Sequence, residues 1–289
     1  MKKAYFEITN VCNLDCSFCP KTKRKKRFVS VEEFRTVAEK LRGRIEYLYL
    51  HLMGEPTLHP ELSEILDISA LFGFNVIITT NGTTLAERGE ILLNSDAVYK
   101  ISISIHSFEA NKNGGSESMA LYLSSCFDFA VKAAEKGKIC VFRLWNLDGV
   151  ETKGESDNNP EILTQMKQYF KNEWKDTRSG KRLCDRVFLE YGEKFEWPDP
   201  ESAEEYDAEA DCFCHGLRDQ IGILCDGTVV PCCLDSEGSI RLGNIFESTL
   251  DEILTSPKAV TFYDSFTRRK SPTALCGRCG YAKRFSRKK

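Results

Sequence analysis

The sequence predicts an α/β fold, with a parallel sheet of six strand-helix units as an open or partial (β/α)6 barrel and a small C-terminal hairpin-and-helix domain. Two observations predict it. Over the first two-thirds of the 289 residues, short apolar runs alternate with amphipathic stretches of helical period. Repeated βα units of this kind give a parallel sheet with helices outside. Beyond that point the alternation stops and cysteines gather around a hairpin signal.

Strands are expected at residues 5–9, 47–52, 76–79, 98–105, 140–145 and 187–191, and helices at 30–41, 60–71, 84–93, 119–135 and 160–170. The fourth strand reads Ile101-Ser102-Ile103-Ser104-Ile105-His106. A parallel strand covered on both faces usually reads apolar throughout. Its polar alternation points to a face lining a wet or ligand-filled lumen, or to an exposed edge strand. Polar stretches at 107–118 and 147–159 follow strand ends, where α/β proteins place binding loops. Residues 190–211 hold ten acidic side chains and one lysine, with prolines at 198 and 200, and read as a solvated domain connection.

Charge and cysteine content narrow the class. Forty Lys and Arg against 43 Asp and Glu argue against a protein built to grip nucleic acid. Met1-Lys2-Lys3 is followed by Ala4-Tyr5-Phe6-Glu7, which reaches a charge at once and forms no signal-peptide core. No stretch approaches the length of a membrane-spanning helix, so a cytoplasmic protein without a membrane partner is expected. A cytosol keeps thiols reduced and thirteen cysteines cannot all pair, so metal ligation is the better account of the clustered ones.

Cys12, Cys16 and Cys19 stand within eight residues, directly after the first strand. Thiolates are the usual ligands of iron–sulfur clusters. Three of them on a four-iron cluster leave one iron open, where chemistry can occur. A structural zinc site wants four ligands, and the nearest further candidates are His51 and His59.

This C-x3-C-x2-C loop resembles the radical S-adenosylmethionine (SAM) superfamily, and Phe18 before the last cysteine fits as well. The resemblance implies a TIM-like partial barrel in which the open iron binds the amino and carboxylate groups of SAM. The reduced cluster then donates an electron, the sulfur–C5′ bond breaks homolytically, and the 5′-deoxyadenosyl radical takes a hydrogen atom from substrate. Gly54-Glu55-Pro56 after the second strand resembles the family's GEP motif, with Glu55 accepting from the SAM ammonium; Thr80-Asn81-Gly82 ends the third strand and matches another family element. Ser104 falls where the family contacts ribose and Arg143 where relatives contact the SAM carboxylate; a plain salt-bridging arginine reads the same way. The resemblance covers residues 1–195, leaving 196–289 for linker and second domain.

That last part holds Cys212, Cys214, Cys225, Cys232, Cys233, Cys276 and Cys279. Asp226-Gly227 reads as the turn of a hairpin that delivers Cys232 at its end. One cysteine before the hairpin, one after it and a pair near the C-terminus make four ligands. The layout resembles the twitch domain, the short form of the SPASM auxiliary-cluster domain, in Gly227-x4-Cys232, the 242–245 and 250–254 segments, and Cys276-x2-Cys279. Cys214 aligns better than Cys212 by its distance to Gly227, and Cys233 adjoins Cys232; both choices stay open. The resemblance implies one closed auxiliary four-iron cluster suited to electron transfer, where a structural zinc ribbon is the alternative.

Weaker signals remain. The basic run 21–27 could attract an acidic substrate or a flavodoxin- or ferredoxin-type electron donor, or be a solvated loop. Cys126, Cys140 and Cys184 look like incidental thiols, and Trp145 and Trp197 like core. Among relatives with a single auxiliary cluster, the cysteine layout looks most like dehydrogenases of aminocyclitol antibiotic biosynthesis. The expected activity is therefore hydrogen abstraction from a C–H bond of a small alcohol or aminocyclitol-like molecule, the auxiliary cluster accepting an electron. The start of the sequence at the first barrel strand tilts toward a small molecule; peptide or protein maturation, and a non-catalytic iron–sulfur or zinc module, are the rivals.

Overall fold

A computed structural model describes residues 1–110, 116–145, 158–192 and 197–285. In chain order the first elements are β1 (Lys3–Phe6), α1 (Val31–Leu41), β2 (Tyr47–Tyr49), α2 (Leu62–Leu71), β3 (Asn75–Thr80), α3 (Leu85–Asn94) and β4 (Val98–Ile103). Next come α4 (Ser116–Glu135), β5 (Ile139–Trp145), α5 (Asn159–Tyr169), β6 (Lys175–Thr177), β7 (Gly180–Cys184) and β8 (Val187–Gly192). The C-terminal part contributes β9 (Gln220–Ile223), β10 (Thr228–Val230), β11 (Gly243–Asn244), α6 (Leu250–Thr255), α7 (Pro257–Thr267) and α8 (Ala274–Arg278). The chain forms two compact units: Met1–Asn10, Pro20–Gly54 and Phe195–Lys289 make the first, Val11–Cys19 and Glu55–Lys194 the second.

In the first unit β1 lies between β2 and β9 and runs parallel to both, with Tyr5 opposite Tyr49 and Gly222. The β9–β10 hairpin is antiparallel, and β11 pairs with β10. Its turn is made by Gly227 at φ +82°, a left-handed conformation that glycine adopts without steric cost. Helix α1 covers one face. Its buried residues Phe34, Val37, Ala38 and Leu41 follow helical spacing, and Phe34 stacks on Phe6 with ring centroids 5.5 Å apart. Glu7, 0% exposed, accepts two hydrogen bonds from the Arg24 guanidinium at 2.8 Å. It also accepts the Met53 and Cys225 N–H groups at 3.1 and 3.2 Å. A buried carboxylate is tolerated only with such full pairing.

In the second unit β3, β4, β5 and β8 are parallel in that order, and β7 and β6 continue antiparallel from β8. Strand β4 is flanked on both sides, so it is not an edge strand. Ile101 and Ile103 are fully buried and Ser102 is 6% exposed; Ser104 lies just past the strand end. The fold is α/β with mostly parallel strands, and neither set closes into a ring, the arrangement of a partial barrel. Among the described residues no helix is long and apolar enough to cross a membrane. Of the expected binding loops at 107–118 and 147–159, residues 111–115 and 147–157 lie outside those described, as does the Trp145 side chain.

Candidate functional site

The triad loop belongs to the second unit, where Cys12 is exposed, Cys16 buried and Cys19 half-buried. Asn81, just beyond β3, is tied to it. Its side-chain amide donates to Asn13 Oδ1 at 2.9 Å and lies 3.9 Å from Cys12 Sγ. Asn13 in turn donates to Thr83 Oγ1 at 2.8 Å. The Asn81 carbonyl accepts the Tyr122 hydroxyl at 2.7 Å.

Glu55 completes this anchorage. It is 2% exposed, and its Oε2 accepts the Asn81 N–H at 2.6 Å. Its Oε1 accepts the Thr57 N–H and hydroxyl at 3.1 and 2.7 Å. Both carboxylate oxygens thus serve the chain's own donors. Pro56 starts the short 3₁₀ turn Pro56–Leu58 that presents Thr57. In the first unit, Gly54 has φ +76°, and a Cβ there would sit 2.4 Å from the Thr9 carbonyl oxygen. Only glycine lets the backbone pass so close.

Phe18 packs edge-on against His106 with centroids 4.9 Å apart. His106 Nδ1 is 2.9 Å from the carbonyl oxygen of Arg143, so β5 backbone fixes the ring beside the loop. The Arg143 side chain is half-buried. Ser104 donates its N–H to Thr80 at 2.8 Å and accepts the Ser107 hydroxyl on its carbonyl at 2.6 Å.

The C-terminal thiols gather in the first unit. Burial pushes the Cys232 thiol well up, and Cys233, Cys276 and Cys214 push it further. Burial likewise raises Cys276, with Cys279, Cys214 and Cys212 adding to it. Cys212 is pushed up to about 11 by burial, then by Cys214. Burial raises Cys214 and Cys279 too, opposed by the amides of Gly216 and His215 in one case and of Ala282 and Tyr281 in the other. Cys212 therefore shares the neighbourhood of the four predicted ligands, as does Cys233. Cys225 sits apart, with Arg24 Nη1 3.6 Å from its sulfur.

These donor sets suit iron–sulfur clusters. Thiolates accept the amide hydrogen bonds that tune such groups, and Cys12 Sγ takes one from Leu14 at 3.5 Å. Among the described residues no three Cys, His, Asp or Glu side chains converge on one ion. The basic run 21–27 is largely spent within the first unit. Arg24 binds Glu7, Arg27 pairs with Glu33 at 2.6 Å, and Lys23 pairs with Glu201 at 2.6 Å. Lys26 donates to the Asn10 carbonyl at 2.8 Å.

Comparison with known proteins agrees with this geometry. Residues 6–123 match the radical SAM superfamily, and residues 212–280 match SPASM, an iron–sulfur cluster-binding domain. The chain therefore carries a radical SAM domain followed by a SPASM domain. The two domains imply a SAM-binding 4Fe-4S cluster, SAM itself and auxiliary iron–sulfur ligation. The chain is 29% identical over 180 residues to GTP 3′,8-cyclase of Aquifex aeolicus, a match covering 60% of this chain and 53% of that protein. It is 23% identical to the antilisterial bacteriocin subtilosin biosynthesis protein AlbA of Bacillus subtilis, covering 96% of this chain and 65% of that one. It thus spans between half and two-thirds of these relatives. Among solved structures, anSMEcpe with bound AdoMet matches with TM-score 0.61 and 15% identity over 99% of this chain and 91% of that one. BtrN in complex with AdoMet and 2-DOIA matches with TM-score 0.52 and 16% identity over 96% and 92%. These likenesses establish the fold.

Proposed function

We propose that the chain is a radical SAM oxidoreductase that removes hydrogen from a substrate C–H bond. Cys12, Cys16 and Cys19 hold the SAM-binding cluster, and Cys214, Cys232, Cys276 and Cys279 hold one auxiliary 4Fe-4S cluster. When bound, the first cluster and SAM supply a 5′-deoxyadenosyl radical that takes a hydrogen atom. Asn81 and Glu55 hold the triad loop in place, Phe18 and His106 wall one side of it, and Ser104 and Arg143 are assigned to the ribose and carboxylate of SAM. The observation that supports the reading is the match of residues 6–123 to the radical SAM superfamily and of residues 212–280 to the SPASM domain, each spanning its own cysteine set.

The cysteine layout supports a small alcohol or aminocyclitol-like substrate, with a flavodoxin- or ferredoxin-type protein as electron donor. A peptide substrate is the second reading, supported by the similarity to AlbA along 96% of this chain. The test is anaerobic reconstitution with iron and sulfide, then reduction in the presence of SAM. The protein should release 5′-deoxyadenosine, and Cys16→Ala should abolish it. A parent protein with intact clusters that makes none would be a binding module.

A further inference from the structure

The acidic residues 199–211 do not read in the structure as a loose linker. Arg278, between Cys276 and Cys279, donates to the carbonyl oxygens of Glu204 at 3.0 Å and Asp199 at 3.4 Å. The Tyr206 ring lies on Gly277, where a Cβ would come within 2.4 Å of ring Cδ2. Lys270 ion-pairs with Glu209 and donates to its carbonyl at 3.1 Å. Arg269 donates to the Asp211 carboxylate at 2.6 Å, while its own carbonyl accepts the Cys212 N–H at 3.0 Å. Lys23 holds Glu201 at 2.6 Å. All these residues belong to the first unit.

We propose that residues 199–211 form a cap over the Cys276–Cys279 pair, and that Tyr206 is the positioning residue that shields the auxiliary cluster bound there. The inference rests on the assignment of those cysteines as cluster ligands. The contacts explain why a segment so acidic folds back: the Glu201, Glu209 and Asp211 carboxylates meet Lys23, Lys270 and Arg269, and the Asp199 and Glu204 carbonyls meet Arg278. The Lys23–Glu201 and Lys270–Glu209 pairs are exposed, and such pairs are individually weak and screened by salt. The aromatic ring, by contrast, is held by contact with a residue that has no side chain. The cap is therefore a salt-sensitive cover seated on one ring. Its position matters because solvent exposure is among the factors that set an iron–sulfur potential.

The test uses the reconstituted holoprotein, with iron counted first and then its release into excess EDTA followed anaerobically by loss of visible absorption. The auxiliary phase is the one missing from Cys276→Ala. Tyr206→Ala should speed that phase about tenfold, the scale expected from losing the contact of one aromatic side chain that is 37% exposed. Tyr206→Phe, which keeps the ring, should match the parent. About 1 M salt, which confines electrostatics to about 3 Å, should speed the parent's auxiliary phase. Full iron loading with equal rates in Tyr206→Ala and the parent would overturn the cap, as would a Tyr206→Phe rate equal to that of Tyr206→Ala. A parent protein holding iron for a single cluster would instead sink the ligand assignment. Should Tyr206→Ala fail to load, amide exchange at Gly277 and Cys279 in the parent decides: protection lost in high salt supports the cap, and protection indifferent to salt overturns it.

Discussion

Glu55, which the family resemblance assigns to the SAM ammonium, also accepts from Asn81 and Thr57 within the chain. Burial pushes its carboxyl up, while the amide of Asn81 and the donors of Thr57 and Thr80 pull it down. The side chain therefore ties the turn after β2 to the end of β3, and through Asn81 to the cysteine loop. Glu55→Gln replaces one acceptor oxygen with a donor that faces N–H groups. A buried unsatisfied donor costs about 1–3 kcal/mol, so the variant should lose that much stability as well as SAM affinity. Urea midpoints and SAM titration of the reconstituted protein separate the roles. Weakened SAM binding with parental stability would mean that the carboxylate serves SAM alone.

Helix α1 shows how much an element carries in its local sequence. The Ser30 hydroxyl accepts the Glu33 N–H at 3.2 Å, and the Glu33 carboxylate accepts the Ser30 N–H at 2.9 Å, a capping box. Burial pushes Glu33 up, but hydrogen bonds from Arg27 and the Ser30 amide outweigh it and hold the carboxyl below its usual range. A lowered folded-state pKa contributes stability above the unfolded value, about 4.3 for Glu, and loses it as pH falls through the folded value. Ser30→Ala should cost about 1 kcal/mol. Glu33→Gln should be less stable than the parent at neutral pH, with the gap narrowing as acid protonates the parent's Glu33. A gap in urea midpoint that does not change with pH would contradict this. The same local legibility located β1, β2, β3, β4, β5 and β8 and the helices α1 to α5, because apolar periodicity reports which face is buried. It missed β6, whose Lys-Asp-Thr is exposed throughout, β7 beside it, β11, only two residues long, and the C-terminal helices α7 and α8. The grouping of the cysteines into an N-terminal triad and a C-terminal set was legible from their spacing. The ties of Asn81 to Asn13, of Arg24 to Glu7 and of Tyr206 to Gly277 were not, since each joins residues far apart in sequence whose types name no partner.

At the scale of the whole molecule, the two cysteine sets lie in different compact units: the triad in Val11–Cys19 of the second, the C-terminal set in the first. Each set has its own amide donors, Leu14 for Cys12 and the amides of Gly216, His215, Ala282 and Tyr281 for the other. Sites that share no partners respond independently to substitution. Two clusters of four irons predict about eight irons per reconstituted chain. Cys276→Ala should then lower the count to about four, retain reductive cleavage of SAM, and lose turnover of substrate once one is known. Cys16→Ala should also lose about half the iron but abolish SAM cleavage. Iron and sulfide analysis beside 5′-deoxyadenosine measurement reads both variants. The decisive comparison is the cross-effect: metal binding is coupled to folding, so if the first unit needed its cluster to fold and the second depended on it, Cys276→Ala would lose all its iron. That result would replace two independent centres with one cooperative one, whereas retention of half the iron with SAM cleavage intact would place the radical-generating chemistry on the triad alone.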